Sequence, residues 1–395
     1  MVIGLFVDVF PPFMDGVANV VLNYALNLKA QGHTVYVVCG DYNKAKETGY
    51  DEKQGWDFTY RLPVIPCVFS KPYGIIHTPH KSYKELLSIP FDIIHIHSPF
   101  YMGRLGRRIA KKKNIPLIGT LHSQFDKDIA SATHNFKPLS SFILKSILKE
   151  FNYCDELWAV SKYSRMIFEQ PPYNLKNVGV CDNACELELS PNEIEECKKK
   201  AAEFLGQRID EPVLLFVGQH HDKKNIPHIL GAYKILHERG VKFKALFVGE
   251  GPHLNKYKAF VKNNNLEDTV RFLGLITDRQ IVAGLYALSY LLVFPSYYDT
   301  ACLVKREAAF FHIPTLFGKG SLTSEGIKDG FNGYVADDTT ESIADVIESA
   351  ITNKEEKQTI GNNAYDTIYS TWKDVLYTVE KRYIKAIENK RLHHK

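Results

Sequence analysis

The residues best suited to chemistry in this chain lie at positions 294–307, which read FPSYYDTACLVKRE. The stretch holds two carboxylates, Asp299 and Glu307, with seven residues between them. The apolar run YLLVF leads into it and predicts a buried strand, which Pro295 ends because proline cannot donate to a strand ladder. A helix is predicted to begin near Leu303 and to end before an Ile-Pro pair. The two carboxylates therefore flank the start of a helix.

The start of this predicted helix has the properties of a nucleotide-binding site. The first N–H groups of a helix, here those of Leu303 and Val304, have no intrahelical partner and favour an anion. Glu307, about one turn further on, can accept hydrogen bonds from two vicinal hydroxyls. An anion beside a diol describes the phosphate and ribose of a nucleotide. An ordinary strand–loop–helix connection with a solvated carboxylate fits the same residues, so the stretch alone does not decide between them.

Length and composition limit the class of protein. A chain of 395 residues is too long for one ordinary core and predicts two domains. Apolar residues at 45% and charged residues at 24% are typical of globular proteins. The net charge of +4 is too small to indicate a nucleic-acid partner, and none is expected.

The cysteines and the apolar segments indicate in which cellular compartment the protein is expected. No C-x-x-C pair occurs, so neither a disulfide framework nor a zinc site is indicated, and a reducing compartment is expected. The first ten residues contain Asp8 and lack a basic start, which predicts a strand and not a secretion signal. The longest apolar stretch, 281–295, is too short to span a bilayer. The expected location is cytoplasmic, either in solution or peripheral on the inner face of the membrane. The seven cysteines are Cys39, Cys67, Cys154, Cys181, Cys185, Cys197 and Cys302.

Buried-strand patterns alternate with helical patterns along the whole chain. This alternation predicts an α/β fold with two doubly wound parallel sheets. Residues 41–73 are expected to form an irregular loop region, and Pro171–Pro172 to begin the linker between the halves. Continuous apolar runs typical of covered parallel strands include 2–9, 34–39, 92–97, 115–121, 157–160, 212–217, 244–248, 269–272, 290–294 and 314–317.

The central stretch resembles the E-x7-E motif of the family 4 retaining glycosyltransferases, with Leu-Val and Glu-Ala in the same register. Other motifs follow in the order of that family over essentially the whole chain: FPPFMDGVANVV, DIIHIHSPFYMG, IPLIGTLHS, WAVSKYS, LLFVGQHHDKKN, LFVGEGP, VRFLGLI and SEGIKDGFNGYV. The HSPFYMG and TLHS pair is most similar to the branch of diacylglycerol glucosyltransferases and phosphatidylinositol mannosyltransferases.

The resemblance implies the GT-B fold, in which two Rossmann-like domains face each other across a cleft. Residues 1–172 would form the acceptor-side domain and 173–371 the nucleotide-sugar domain, with the helix 372–395 packing back on the first. The implied reaction is a retaining, metal-independent transfer of a hexose from a nucleotide diphosphate sugar to a hydroxyl. UDP-glucose is the favoured donor, and the acceptor is a glycerolipid such as diacylglycerol or a cell-surface glycan. No cofactor is implied.

The resemblance also implies the site residues. Asp299 takes the place of the glutamate that contacts the sugar ring, Lys224 grips the donor phosphates, and His122 lies beside the transferred sugar; these are the expected catalytic residues. Gly16 is expected to let the backbone approach the diphosphate. The full expected donor-binding set is Gly16, Gly218, Gln219, Lys224, Leu303, Val304 and Glu307.

Three positions depart from the family pattern. Gln219 replaces an arginine that grips phosphate, Asp299 is one methylene shorter than glutamate, and Cys302 replaces a glycine and would place a side chain where phosphate approaches. His220, His221 or Lys223 could compensate for the missing arginine, and the sequence does not choose between them.

The departures keep open a second hypothesis, a degenerate GT-B chain acting as an accessory subunit of an active transferase. A phosphorylase or epimerase on the same fold is disfavoured because the motif register is that of family 4.

A basic helix between two predicted strands suggests a membrane surface. Its five cations recur at helical spacing on one face, and such a stripe attracts anionic lipid at about 1 kcal/mol per basic residue. The solvated face of a crossover helix explains it equally well. A second basic amphipathic helix at 137–151 could share that surface. The five cations are Arg104, Arg107, Arg108, Lys111 and Lys112.

One pair of acidic residues has the spacing of a metal site. Asp126 and Asp128 flank Lys127, and this D-x-D pattern binds divalent metal in other glycosyltransferases. Here it follows a different motif and is expected to be a solvated loop, so no metal site is expected.

Overall fold

The computed structural model describes residues 1–13, 16–66, 74–206, 209–299 and 302–392. The chain divides into two compact units: unit 1 comprises residues 1–183 and 372–395, and unit 2 comprises residues 184–371. The expected boundary after residue 172 is therefore eleven residues too early. A short strand at Val178–Val180 pairs in parallel with the strand Glu156–Ala159 and belongs to the first sheet. Three residues of strand are too few to predict from a pattern, whereas the Pro-Pro pair before them is conspicuous.

Unit 1 is built on a seven-stranded sheet of parallel strands in the order β3-β2-β1-β6-β7-β8-β9. Its strands are β1 (Val2–Phe6), β2 (Thr34–Gly40), β3 (Thr59–Leu62), β6 (Ile93–Ile96), β7 (Leu117–Leu121), β8 (Glu156–Ala159) and β9 (Val178–Val180), and a separate antiparallel pair is formed by β4 (Val64–Pro66) and β5 (Gly74–Ile76). The helices are α1 (Gly16–Ala30), α2 (Tyr50–Lys53), α3 (His80–Ser88), α4 (Tyr101–Lys113), α5 (Phe125–Ala132), α6 (Lys137–Phe151), α7 (Lys162–Glu169) and the terminal α15 (Trp372–Leu392).

The terminal helix packs on unit 1 through polar and aromatic contacts. The hydroxyl of Tyr383 on α15 lies 2.6 Å from Nδ1 of His95 on β6. The guanidinium of Arg382 stacks 4.0 Å from the ring of Trp158 and donates to the carbonyl of Val180. These contacts join the last helix to β6, β8 and β9 of the first sheet.

Unit 2 is built on a six-stranded parallel sheet in the order β12-β11-β10-β13-β14-β15. Its strands are β10 (Val213–Val217), β11 (Lys244–Val248), β12 (Val270–Gly274), β13 (Leu291–Phe294), β14 (Thr315–Gly318) and β15 (Tyr334–Ala336). Its helices are α8 (Pro191–Leu205), α9 (Ile226–Glu238), α10 (Leu254–Asn263), α11 (Arg279–Ala287), α12 (Leu303–Phe310), α13 (Thr340–Thr352) and α14 (Lys354–Ile368).

Both sheets confirm the predicted α/β architecture. The central strands, such as β6 (IIHI) and β13 (LLVF), are buried along their whole length, because helices cover both faces of a doubly wound sheet. In unit 2, Phe216 stacks between Phe247 and Phe294 with ring centroids 5.4 and 5.7 Å apart. The central strands therefore hold the loops at their carboxyl ends on a rigid base.

The expectation of an irregular region over 41–73 is wrong for the described part, which contains α2 and β3. Strand β3 is an edge strand and pairs in parallel with β2. Its Arg61 donates to both carboxylate oxygens of Asp51, at 2.6 and 2.7 Å, in a buried ion pair. This polar pair interrupts the apolar run that would have predicted the strand. Residues 67–73 lie outside the described residues.

Within the described part of the chain, we find no helix both long enough and apolar enough to cross a bilayer.

Candidate active site

The order of strands in unit 2 reverses between β10 and β13, and this is where the predicted donor residues meet. In open α/β sheets, ligands bind at the carboxyl ends of the strands beside such a reversal. The loop after β10 begins at Gly218 and ends in a 3₁₀ turn, Asp222–Lys224. The loop after β13 leads through Asp299 to the start of α12 at Leu303, where that helix was predicted to begin.

Lys224 and Asp299, from these two loops, form an ion pair. Nζ of Lys224 lies 2.8 Å from Oδ2 of Asp299 and also donates to the carbonyl of Tyr298 at 2.9 Å. Their side chains are 15% and 24% exposed, so the pair is shielded but open to a ligand on one side. The structure thus brings together two predicted catalytic residues that are far apart in the chain.

Asp299 also organises the start of α12. Its Oδ1 accepts a hydrogen bond from the backbone N–H of Cys302 at 2.9 Å. Cys302 has a φ of +42°, in the left-handed region that favours glycine. Its thiol is buried in the core of unit 2, and burial raises its pKa to about 12. The expectation that this side chain occupies the approach to phosphate is therefore wrong, because it turns inward. Residues 300 and 301 of the motif lie outside the described residues.

Two glycines of the VGEGP motif hold the loop after β10 in place. A Cβ on Gly249 would lie 2.1 Å from the carbonyl oxygen of Gly218, and one on Gly251 would lie 2.3 Å from that of His220. The amide of His220 in turn donates to the carbonyl of Glu250 at 2.9 Å. A side chain at either glycine would push the two loops apart, so these residues have a positioning role that the motif alone did not reveal.

The loop after β10 contains Gln219 and the two histidines that could have replaced the charge of an arginine. Gln219 is exposed, whereas His220 is fully buried and neither of its ring nitrogens has a hydrogen-bond partner among the described residues. Burial lowers the pKa of His220 to about 4. The ring of His221 accepts from the backbone N–H of Lys223 at 3.1 Å, and burial lowers its pKa as well. Neither histidine is a cation at neutral pH.

Glu307 has protein partners that the sequence did not indicate. Its Oε1 accepts from Nη2 of Arg279 at 2.9 Å, and its Oε2 accepts from the hydroxyl of Tyr286 at 2.7 Å. Arg279 is also paired with Glu186. Both partners lie on α11, and the side chain of Glu307 is 12% exposed. The carboxylate is therefore fixed in orientation, with acceptor capacity left for a hydroxyl.

In unit 1, His122 lies directly after β7 and is paired with a second histidine. Its Nε2 is 3.1 Å from Nδ1 of His97, which follows β6, and the two rings stack. Burial lowers the pKa of His122 to about 3 and that of His97 well below its usual range. Both rings are neutral at pH 7. Gly16 begins α1, and a Cβ there would meet no described atom within 4 Å.

Asp8 lies at the corresponding reversal of unit 1, between β1 and β6. Its Oδ1 accepts from the amide of Met102 at the start of α4, at 3.2 Å, and its amide donates to the hydroxyl of Ser98. Its Oδ2 is buried with no partner among the described residues. Burial raises the pKa of Asp8 to about 6, against the hydrogen bonds and the charge of Arg104, which lower it. Asp8 was not among the predicted site residues, and in the sequence it counted only as evidence against a secretion signal.

We expect Asp8→Asn to stabilise unit 1 above pH 6. Because the folded-state pKa is raised, the charged carboxylate destabilises the native state, and this cost falls as pH drops from about 6 to about 4, the pKa of the unfolded chain. The gain in unfolding free energy should be on the order of 1–3 kcal/mol at pH 7.5 and near zero at pH 4. Asparagine keeps the acceptor for Met102. Denaturation of both proteins at several pH values tests this, and a gain independent of pH would contradict it.

Two family models match this chain. The model described as "Glycosyltransferase Family 4" matches residues 14–188, and "Glycosyl transferases group 1" matches residues 198–367. The chain belongs to the family 4 glycosyltransferases. Between them the two models cover most of both units.

The transferase is similar over most of its length to named relatives. It is 24% identical to the alpha-monoglucosyldiacylglycerol synthase of Acholeplasma laidlawii, over 88% of this chain and 87% of that protein. It is 25% identical to a GDP-mannose-dependent alpha-mannosyltransferase of Corynebacterium glutamicum, over 85% and 77%. The solved structure of Anabaena HepE with UDP and glucose matches with a TM-score of 0.73 at 17% identity, over 98% and 100%. The fold is GT-B, as the resemblance to the family implied.

The basic helix α4 of the transferase is only partly available to a membrane. Arg107 donates to Oε2 of the buried Glu150 on α6 at 2.6 Å, and Arg104 donates to the hydroxyl of Ser146. Arg107 stacks as well on the ring of Tyr153, 4.5 Å away. These two arginines were candidates for a membrane surface, and in the structure both contact α6. Arg107 is partly buried, whereas the other four predicted cations, Arg104, Arg108, Lys111 and Lys112, are exposed.

The D-x-D residues lie in the first turn of α5 and not in a loop, which corrects the expectation. Asp126 accepts a hydrogen bond from the hydroxyl of Tyr173 at 2.5 Å. Among the described residues, no group of three or more potential ligands has the arrangement of a metal site.

Proposed function

We propose that this glycosyltransferase moves a hexose from a UDP-sugar to a hydroxyl of a glycerolipid at an anionic membrane surface, with retention of configuration and without a metal ion. The observation that carries the proposal is the Lys224–Asp299 ion pair at the strand-order reversal of unit 2, beside the N-terminus of α12. A cation, a carboxylate and free helix amides at one place suit a diphosphate and the sugar attached to it.

Departure of the nucleotide places negative charge on the diphosphate as the bond to the anomeric carbon breaks. In the proposed mechanism Lys224 and the first amides of α12 stabilise that charge, and they need no reorganisation because both are fixed before the reaction. Asp299 would orient the sugar ring. Because Asp299 is held by Lys224 and by the amide of Cys302, its carboxylate cannot swing to make up for the missing methylene.

The donor assignment rests on similarity. The structural neighbour HepE holds UDP and glucose, and the Acholeplasma relative is named as a glucosyldiacylglycerol synthase. The Corynebacterium relative is named as GDP-mannose-dependent, which makes GDP-mannose the competing donor. Glu307 would hold the ribose in either case, since it contacts the part of the donor that both nucleotides share.

The lipid assignment is supported by an apolar surface on α6. Phe136, Leu139 and Phe142 are 61%, 44% and 72% exposed, and together we call them the α6 apolar patch. The same helix carries exposed lysines at 137, 145 and 149, and the ion pairs with Glu150 join the basic helix α4 to it. Large apolar side chains next to cations are typical of surfaces that enter the headgroup region of a bilayer.

Nucleotide release from UDP-, GDP- and ADP-sugars tests the function, with and without diacylglycerol vesicles and with soluble sugar acceptors. We expect release to be fastest with a UDP-hexose and diacylglycerol, and to be unaffected by chelators. Release with soluble acceptors alone would overturn the lipid assignment. No release from any pair by folded protein would favour the accessory-subunit hypothesis.

We expect the double substitution Leu139→Ser and Phe142→Ser to reduce binding to anionic vesicles by about tenfold or more, because each exposed side chain loses its transfer into the bilayer. Co-sedimentation with vesicles containing an anionic lipid measures this. Leu26→Ser, which removes a 43% exposed leucine on α1, is the matched control. If the wild-type protein does not co-sediment, the acceptor is not a bilayer lipid.

Charge reversal tests the electrostatic part of the same surface. Arg108→Glu with Lys112→Glu should weaken vesicle binding and make it less sensitive to salt. Arg107 is unsuitable for this experiment because its reversal would place a second carboxylate against the buried Glu150 and remove the shorter of its two ion pairs.

A further inference from the structure

The donor site of this transferase lacks the arginine that the family loop supplies after its glycine, because Gln219 stands there. Each phosphate of a nucleotide diphosphate is negatively charged, and Lys224 is already paired with the carboxylate of Asp299. A pair of opposite charges attracts an anion less strongly than a free cation does. If the site binds a diphosphate, it therefore needs a second positive charge. This inference rests on the proposed function.

Three residues of the loop were candidates for that charge, and the structure separates them. His220 is buried in the aromatic core, and burial keeps its pKa near 4. The ring of His221 is used to accept from a backbone amide, and its pKa is lowered by burial. Lys223 is the remaining candidate.

Lys223 converges with Lys224 on the same segment after β13. Its Nζ lies 4.7 Å from the centroid of the Tyr298 ring, while Nζ of Lys224 binds the carbonyl of Tyr298 and the carboxylate of Asp299. No carboxylate among the described residues lies within 4 Å of Nζ of Lys223. The aromatic ring orients the ammonium group without neutralising it.

We propose that Lys223 is a diphosphate-binding residue that takes over the charge of the missing arginine. The ring of Tyr298, in the loop that leads to α12, holds its ammonium group, and the group moves from the ring to a phosphate oxygen when the donor binds. Two adjacent lysines, Lys223 and Lys224, then serve where the family uses an arginine at position 219 and a lysine at position 224.

Calorimetry with UDP, GDP and uridine tests the proposal in the full-length protein. Lys223→Gln should weaken UDP affinity by about tenfold or more, the usual effect of losing a hydrogen bond to a charged group, and leave uridine affinity unchanged. Lys223→Arg should restore most of the affinity. Lys256→Gln is the matched control: it removes an equal charge from α10, where Lys256 pairs with Asp222, and should have no effect.

A second variant restores the arginine that Gln219 replaces. Adding Gln219→Arg to Lys223→Gln should recover UDP affinity, since it restores the cation at the family position. Unchanged UDP affinity in Lys223→Gln would overturn the proposal, as would equal losses for UDP and uridine, which would show a structural role. If the wild-type protein binds neither UDP nor GDP, the proposed function itself fails, and the two failures are thereby distinguished.

Discussion

Replacing Lys224 by methionine is expected to lower kcat for sugar transfer by about 10²–10³-fold, the usual loss when one preorganised electrostatic contact to a developing charge is removed. The residue sits at the reversal of strand order, and its ammonium group is fixed by Asp299 and by the carbonyl of Tyr298. Methionine keeps the length of the aliphatic stem of Lys224 but loses the contact of its Nζ with the Phe294 ring, 5.4 Å from the ring centroid. The thermal unfolding temperature should therefore fall much less than the rate does.

The measurement is nucleotide release, with thermal unfolding recorded on the same samples. Lys234→Met serves as the control, because Lys234 is a partly exposed residue of α9 in the same unit whose carboxylate neighbour, Glu238, is 3.7 Å away. Its rate should match the wild type. Equal rates for Lys224→Met and the wild type would remove Lys224 from the site and, with it, the observation on which the proposed function rests.

The second large effect is expected from Glu307→Ala, which should abolish nucleotide binding and also destabilise unit 2. The carboxylate is the common partner of Arg279 and Tyr286, so its removal leaves a buried hydroxyl without an acceptor. Arg279 is half exposed and keeps Glu186, which limits the cost. We expect a loss of about 1–3 kcal/mol in the free energy of unfolding.

Tyr286→Phe separates the two effects of that substitution. It removes one hydrogen bond to Glu307, at a cost of about 1 kcal/mol, but leaves the carboxylate in place. If Glu307 holds the ribose, Tyr286→Phe should still bind UDP, whereas folded Glu307→Ala should not. Calorimetry and chemical denaturation on both variants decide the matter. UDP affinity that survives in Glu307→Ala would restrict Glu307 to a structural role.

Local residue patterns predicted part of the fold and of the candidate site. The buried strands of both sheets, the start of α12 and the helix at 137–151 were predictable, since periodicity and breaking residues act over a few positions. The short polar strand β3 was not, because its buried arginine is tolerable only with Asp51 beside it. The last strand of unit 1, β9, was not predicted because three residues are too few to show a strand pattern.

The amino-acid sequence by itself determined the order of elements, the fold class and the set of residues at the carboxyl ends of the strands. Tertiary structure decided which of them meet. Lys224 and Asp299 form a pair because β10 and β13 are neighbours in the sheet although two strands separate them in the chain. Packing between distant segments likewise turns the thiol of Cys302 into the core of unit 2. It also places Arg279 of α11 against Glu307 and Arg107 against Glu150. Contacts between distant residues depend on strand order and helix packing, which no local pattern encodes.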